Sequence, residues 1–216
     1  MPIMRLYEDV LSSAAETAPL PTLPRIIFLL HGSAMIDGRS LSDGEVWHGE
    51  EAVTVTAGSA GASTWRFELA QGDDADGKLA AVSRQKLAVR VETLPTGDLL
   101  LRGDSVAFPP GGCAYLHRHG GPGIRCLIEG GIRIDAGGRS TSYGPGGAWY
   151  ENGPEPVFAQ AASDRATRFI RMMILPRALL GKSSIEYLDP ADRERPRSQS
   201  YRIFADAPIV FRAARG

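Results

Sequence analysis

Short apolar or alternating segments, each bounded by turn residues, recur along the whole chain. Such segments are typical of the strands of a β-sandwich or barrel, where side chains alternate between two faces. Helical periodicity is confined to residues 6–15 and 176–181. We therefore expect an all-β protein with few short helices. The predicted strands lie at about 25–30, 52–56, 63–69, 88–93, 98–102, 114–119, 124–129, 131–135, 148–151 and 167–175.

The glycine and proline content supports many short elements joined by tight turns. The 216 residues include 25 Gly and 15 Pro without a low-complexity segment that would account for them. Because both residues punctuate turns, their even scatter favours a multi-stranded architecture. The length fits one large domain or two small fused ones, and it is sufficient for a hydrophobic core without disulfides. Cys113 and Cys126 are too few for a disulfide framework.

The charge balance excludes several kinds of partner. With 24 Lys and Arg against 25 Asp and Glu, the chain has no long-range field that would attract nucleic acid or an anionic membrane. Residues 1–17 lack the basic-then-apolar order of a secretory signal. The longest apolar run, residues 26–30, is far shorter than the ~20 residues that span a bilayer. We expect a soluble cytoplasmic protein that binds neither nucleic acid nor a membrane.

A weak internal repeat indicates two copies of one β unit. The sequence FLLHG at residues 28–32 is similar to CLIEG at 126–130, and Asp43-Gly44 then falls near Tyr143-Gly144. Further on, residues 65–69 are similar to 167–172. Repeats of this size suggest a duplicated unit. The alternative is that strand–glycine–strand patterns match by chance.

His117 and His119 are the strongest candidates for chemistry. In a strand, alternate residues share one face, so the two imidazoles would lie close enough to share one ion. Neutral imidazole is the commonest metal ligand in proteins. His31 and His48 have no such partner in the sequence, and we expect neither to be a ligand.

Around these histidines the sequence resembles the cupin superfamily. The first cupin motif reads HxH, then Glu, then Gly, and residues 117–130 are similar to it; residues 143–152 resemble the second motif, PxGxxH. The close resemblance covers residues 106–176, and residues 24–70 resemble a degenerate copy without a histidine pair. It implies a double-stranded β-helix, or jelly-roll barrel, in two tandem cupin units, a bicupin, and also a homodimer.

On this basis we predict four regions. These are an N-terminal helical or extended arm (1–23), a degenerate cupin half (24–92), a cupin domain with the metal-binding motif (93–180), and a C-terminal extension with edge strands (181–216).

Two positions depart from the cupin motifs. Gly123 stands where cupins have their ligand Glu, and Tyr150 stands where they have the last His. Glu151 is one residue further on, and a one-residue bulge would turn it inward. With His117 and His119 it would form a two-histidine, one-carboxylate set, which favours Fe(II), although Mn, Ni, Co or Zn could use the same ligands. In the alternative, Tyr150 points inward and the two histidines alone bind metal weakly.

Strand parity adds residues to the expected pocket. Arg125 would point into the barrel, where its planar guanidinium suits an acidic substrate, Glu151, or an internal salt bridge without a ligand. Tyr115 would share the histidine face and donate a hydrogen bond to a bound oxygen atom. Trp149 would form an apolar wall, and Tyr150 a further substrate contact.

These residues predict a metal-dependent oxidoreductase of dioxygenase type that acts on a small acidic or enolic substrate, with Arg125 and Tyr115 as catalytic residues and the metal as a Lewis acid. Two alternatives remain open: non-redox chemistry at the same site, as in an isomerase, lyase or hydrolase, and a binding or sensing cupin without catalysis. Gly123 favours the last alternative, whereas Glu151 and Arg125 favour an enzyme.

Overall fold

The structure, a computed structural model, describes residues 1–72 and 82–211. It has two compact units: of the described residues, 1–72, 82–92 and Phe211 belong to the first and Thr93–Val210 to the second. Strands account for 61% of the described residues and helices for 4%, so the all-β expectation is confirmed. Among the described residues, none of the helices has the length and hydropathy of a membrane span.

The described residues of the first unit form a six-stranded antiparallel sheet, with the order β3-β2-β5-β1-β6 and β4 also paired with β2. Its strands are β1 (Pro2–Leu11), β2 (Arg25–Ile36), β3 (Arg39–Ser42), β4 (Val46–Gly49), β5 (Val55–Gln71) and β6 (Ser83–Arg90). The pairing register between the long strands β2 and β5 shifts next to Gly32, where its backbone lies close to that of Gly61. A Cβ atom on Gly32 would lie 2.2 Å from the Gly61 carbonyl oxygen, so this close approach requires glycine.

The helix predicted at residues 6–15 is wrong. Most of this segment belongs to β1, which pairs with β5 on one side and β6 on the other. Asp9, which a surface helix would expose, is buried and accepts hydrogen bonds from Arg66 and Ser83. Residues 2–11 are therefore an inner strand of the first unit rather than a helical arm. The local pattern missed this because the partners of Asp9 are distant in the sequence.

The second unit contains two five-stranded antiparallel sheets, ordered β11-β10-β13-β8-β15 and β12-β9-β14-β7-β16. A shared core of apolar side chains from both sheets lies between them, including Val106, Leu127, Ile134, Val157 and Phe169. The strands are β7 (Leu99–Phe108), β8 (Cys113–His119), β9 (Gly123–Glu129), β10 (Ile132–Ala136), β11 (Arg139–Tyr143), β12 (Ala148–Glu151), β13 (Val157–Ala161), β14 (Thr167–Pro176), β15 (Ile185–Tyr187) and β16 (Ser200–Ile209).

The C-terminal part of the second unit contains short helical segments and an edge strand. The helical pattern at 176–181 corresponds to a single 3-10 turn, Arg177–Leu179, and the charged segment that follows contains the short helix α1 (Pro190–Glu194). β16 lies at the edge of its sheet and pairs with β7 along its length.

The two units share a strand order. The sheet order β4-β2-β5-β1-β6 of the first unit matches the sheet order β12-β9-β14-β7-β16 of the second. The matched strands also follow one another in the same order along the chain. The C-terminal end of β2 pairs with β3 and with the start of β5, as β10 pairs with β11 and β13. Where the second unit has β8, residues 12–24 of the first form only two isolated bridges, Glu16 to Thr56 and Leu20 to Val53.

Candidate metal centre

β8 brings His117 and His119 into the interior of the second unit, where each is 4% exposed. Opposite β13, His117 pairs with Val157 and Ala114 pairs with Ala159, so β8 has one extra residue between these pairs. This β-bulge shifts the alternation of side chains along the strand. Ala114, His117 and His119 consequently line one internal cavity.

The prediction that Tyr115 shares the histidine face is wrong. Because of the bulge, its ring lies outside the cavity, with the Arg195 guanidinium 4.8 Å from the ring centroid. The main chain of Tyr115 nevertheless matters, since its carbonyl oxygen lies 2.7 Å from Nδ1 of His117. The bulge that removes the side chain from the site thus presents a backbone acceptor to the histidine.

The hydrogen bonds of the two histidines determine which nitrogen is available for a ligand. A carbonyl oxygen can only accept, so Nδ1 of His117 carries a proton and donates a hydrogen bond to the backbone carbonyl oxygen of Tyr115. Burial lowers the pKa of His117, and burial together with Arg171 and Arg125 lowers the pKa of His119 well below its usual range. Neutral His117 therefore presents an Nε2 lone pair, 3.2 Å from Nε2 of His119.

Glu151 lines the same cavity, but the one-residue bulge that was predicted to turn it inward is absent from β12. β12 pairs with β9 in continuous register, with Trp149 opposite Arg125 and Glu151 opposite Gly123. Simple alternation thus turns Trp149 and Glu151 inward. Oε2 of Glu151 lies 3.7 Å from Nε2 of His119, and Oε1 accepts a 2.9 Å hydrogen bond from the Trp149 indole.

Tyr150 does not line the histidine cavity. It lies on the other side of β12, half-buried, and lines a neighbouring pocket of about 170 Å³ together with Arg139 and Tyr143. Glu151 and Trp149 line both spaces. The alternative in which Tyr150 replaces Glu151 beside the histidines is therefore not the arrangement in this structure.

Arg125 lies inside the second unit, 1% exposed, and forms an ion pair with Glu151. Its Nη1 donates to the Gly123 carbonyl oxygen at 2.7 Å, and its Nη2 lies 2.7 Å from Oε2 of Glu151. A Cβ atom on Gly123 would lie 3.0 Å from Nη1, so the guanidinium takes up the space beside that glycine. Burial lowers the pKa of Arg125 to about 10, and the group remains charged at neutral pH.

Sequence reasoning missed Arg171 and Asp104. Arg171 on β14 lines the cavity and donates two hydrogen bonds, of 2.7 and 2.9 Å, to the Asp104 carboxylate on β7. Arg171 also lies opposite Arg125 in the sheet. The available signal was one arginine in the otherwise apolar run 169–175, since a charge buried in a strand needs a partner.

The histidine cavity is small. Its volume is about 20 Å³, which is room for a single water-sized group. The charged side chains around it balance, because Arg125 faces Glu151 and Arg171 faces Asp104. The residues with polar groups that line it are His117, His119, Arg125, Trp149, Glu151, Arg171 and Tyr201.

The donor atoms in this cavity are of the kind that transition metals bind. Two ligand atoms at about 2.1 Å from an ion and at right angles to each other are about 3 Å apart, close to the 3.2 Å between the two Nε2 atoms. Oε2 of Glu151 is buried without an aligned hydrogen bond in the described residues. Even so, no three His, Cys, Asp or Glu side chains within 1–72 and 82–211 already form a coordination site, and Glu151 faces Arg125.

Comparisons with solved structures identify the fold. No family model and no curated protein matches the sequence. A deletion mutant of Bacillus subtilis oxalate decarboxylase OxdC is 14% identical, with a TM-score of 0.56, over 82% of this chain and 72% of that one. A point mutant of salicylate 1,2-dioxygenase from Pseudoaminobacter salicylatoxidans is 11% identical, with a TM-score of 0.55, over 79% and 70%.

AerE from Microcystis aeruginosa is 13% identical, with a TM-score of 0.60, over 81% of this chain and 88% of that one. Another oxalate decarboxylase structure comes from work on the Mn(II) centres of that enzyme. These similarities, together with the antiparallel sheets, show that the chain has the cupin β-barrel fold. At such identities they concern the fold and not the reaction.

Proposed function

We propose that the second unit binds one divalent transition metal ion through Nε2 of His117, Nε2 of His119 and Oε2 of Glu151. The observation that carries this proposal is the convergence of these atoms in one buried cavity, at 3.2 Å and 3.7 Å from the central His119 nitrogen. The Nδ1 atom of His117 is already engaged by a backbone acceptor, which leaves Nε2 for the ion. Trp149 holds the carboxylate in place by its hydrogen bond.

We further propose that the protein is an enzyme of dioxygenase type for a small carboxylate or enolic substrate. A two-histidine, one-carboxylate set leaves coordination positions open and suits Fe(II), with Mn, Ni, Co and Zn as alternatives. The bound ion would supply a Lewis acid for a substrate oxygen atom. Arg125 would bind the anionic group. In support, two proteins of similar fold are named for oxalate and salicylate, both small carboxylates.

A second candidate function is metal or anion binding without catalysis. The cavity of about 20 Å³ favours it, since this space admits one water-sized group beside the side chains present. Non-redox chemistry, as in a lyase, isomerase or hydrolase, uses the same ligands. Oxygen consumption by the iron-loaded protein with small organic acids separates these possibilities: uptake supports the dioxygenase, and its absence with all acids rejects it.

We propose in addition that the chain is a bicupin in which the first unit, including β1, is the degenerate half and the second unit, including β15 and β16, carries the site, in place of the predicted bounds 24–92, 93–180 and 181–216. The shared strand order of the two units supports this proposal. The histidine-bearing strand β8 has only irregular chain as its counterpart in residues 12–24, consistent with a metal site in one half alone. A homodimer remains an expectation, which light scattering during gel filtration tests.

Metal content provides the test of the proposed site. The parent, His117→Ala and Glu151→Gln are loaded with Mn²⁺, desalted and analysed for bound metal. His31→Ala is the matched control, because His31 is an exposed imidazole in the first unit. We expect about one ion per chain in the parent and the control, a loss in His117→Ala and a large reduction in Glu151→Gln. Equal metal content in all four proteins would reject the ligand set.

A further inference from the structure

The Glu151 carboxylate already has a cationic partner. Nη2 of Arg125 lies 2.7 Å from Oε2, the same oxygen atom that faces Nε2 of His119. A metal ion bound to the histidines would therefore compete with the guanidinium of Arg125 for Oε2 of Glu151. Since both are cations, binding of one weakens binding of the other.

The charge balance of the cavity adds a second constraint. Arg125 and Arg171 are balanced by Glu151 and Asp104. A divalent ion would leave two positive charges uncompensated in a cavity of about 20 Å³. Unbalanced buried charge is strongly unfavourable. An anion that enters with the ion removes part of this cost.

Arg125, rather than Arg171, is the side chain suited to meet that anion. Arg171 donates two aligned hydrogen bonds to Asp104, so its guanidinium is fully engaged on that side. In Arg125, Nη2 is buried without an aligned hydrogen bond in the part of the chain that the structure describes. The absence of a side chain on Gly123 gives this guanidinium its room.

We propose that Arg125 is a positioning residue that couples metal binding at His117, His119 and Glu151 to the binding of a small monocarboxylate. Without the anion, Arg125 holds Oε2 of Glu151 and opposes the metal. With the anion, the guanidinium turns away from Glu151, which enlarges the cavity of about 20 Å³; it then pairs with the incoming carboxylate and leaves Oε2 to the metal. This inference rests on the proposed function, because it requires that metal site. By linkage, the metal tightens anion binding by the same factor by which the anion tightens metal binding.

The test is the Mn²⁺ affinity of the full chain, measured by calorimetry with and without acetate, and with acetamide as the uncharged counterpart of acetate. In the parent we expect acetate, but not acetamide, to tighten Mn²⁺ binding by about tenfold, within the usual range of coupling between sites. Mn²⁺ should tighten acetate binding equally. Parent affinity that is unchanged by acetate would overturn the proposal.

Variants of Arg125 isolate its role. Arg125→Met removes the charge and keeps an unbranched side chain; it should bind Mn²⁺ alone about tenfold more tightly and lose the acetate effect, on the same coupling scale. Arg125→Lys keeps the charge beside Glu151 and should bind Mn²⁺ alone as the parent does. Arg168→Met, a change at an arginine on β14 that forms a surface ion pair with Glu129, is the control and should behave as the parent.

The outcomes separate the two proposals. If His117→Ala abolishes Mn²⁺ binding while Arg125→Met and the parent bind it equally, the metal site stands and the coupling is rejected. If His117→Ala binds Mn²⁺ as the parent does, or the parent binds none, the metal site itself is rejected and the coupling with it. If Arg125→Met does not fold, as judged by circular dichroism, the parent with acetate and Arg125→Lys still decide the matter.

Discussion

The indole Nε1 of Trp149 donates a 2.9 Å hydrogen bond to Oε1 of Glu151, two residues further along the same face of β12. The Trp149 ring is itself fixed by Tyr143, stacked at 4.9 Å, and by Phe169, edge-on at 5.2 Å between ring centroids. Sequence reasoning expected an apolar wall from this residue. In the structure, Trp149 additionally orients the one carboxylate of the candidate site.

Replacing Trp149 by Phe should weaken metal binding without disrupting the fold. Phe retains most of the packing with Tyr143 and Phe169 but has no donor for Oε1 of Glu151. A hydrogen bond to a charged group contributes about 1.5–3 kcal/mol, so we expect the Mn²⁺ dissociation constant to increase by about tenfold or more. Tyr143→Phe, which removes only a hydroxyl near the same ring, is the control. Equal affinities of Trp149→Phe and the parent would contradict the orienting role.

Tyr115→Phe should leave metal binding and any activity unchanged. The hydroxyl lies outside the histidine cavity, on the side of Arg195, and the substitution keeps the backbone carbonyl that accepts from His117. The measurement is the Mn²⁺ affinity of the variant beside that of the parent. A loss comparable to that of His117→Ala would mean that the Tyr115 side chain acts in the site after all.

Gly123→Ala should destabilise the protein, because an added Cβ would meet the Met172 carbonyl oxygen and Cγ of Met173 at 2.7 Å each. Overpacking of this kind costs about 1–3 kcal/mol in the free energy of unfolding, measurable by urea denaturation. Gly144→Ala is the matched control, since a Cβ there has no neighbour within 4 Å. Should both variants unfold at the same urea concentration, the close packing around Gly123 would be disproved.

The first unit has a buried ion network of its own. Arg66, fully buried, donates to Asp9 at 2.7 Å and also pairs with Glu68. Arg66→Met should lower the free energy of unfolding by about 3–5 kcal/mol, because it removes the buried arginine that pairs with Asp9 and leaves Glu68 paired with Arg25. Arg84→Met, at an exposed pair with Glu8, should cost about 1 kcal/mol or less. A similar small loss for Arg66→Met would contradict this account.

The fold class and the histidine pair were accessible from the sequence because they depend on local features. Alternation and turn residues predicted the strands, and the HxH spacing predicted that His117 and His119 share a face. Strand lengths were less accessible. β5 runs from Val55 to Gln71, where two shorter strands, at 52–56 and 63–69, were predicted.

The remaining features of the site depend on contacts between distant residues. The bulge sits in β8 at Tyr115 and not in β12, and only the pairing of Ala114 and His117 with β13 determines this. Asp104 and Arg171 are 67 positions apart, so neither charge has a visible partner in the local sequence. Glu151 could have been assigned inward by plain alternation with Trp149, without a bulge.

An anomalous difference map from crystals soaked in Mn²⁺ and acetate would test the metal site most directly. We predict one peak in the second unit, about 2.0–2.3 Å from Nε2 of His117, Nε2 of His119 and Oε2 of Glu151, with Arg125 turned away from that oxygen. Full occupancy of metal elsewhere, with none between these three side chains, would contradict the central claim.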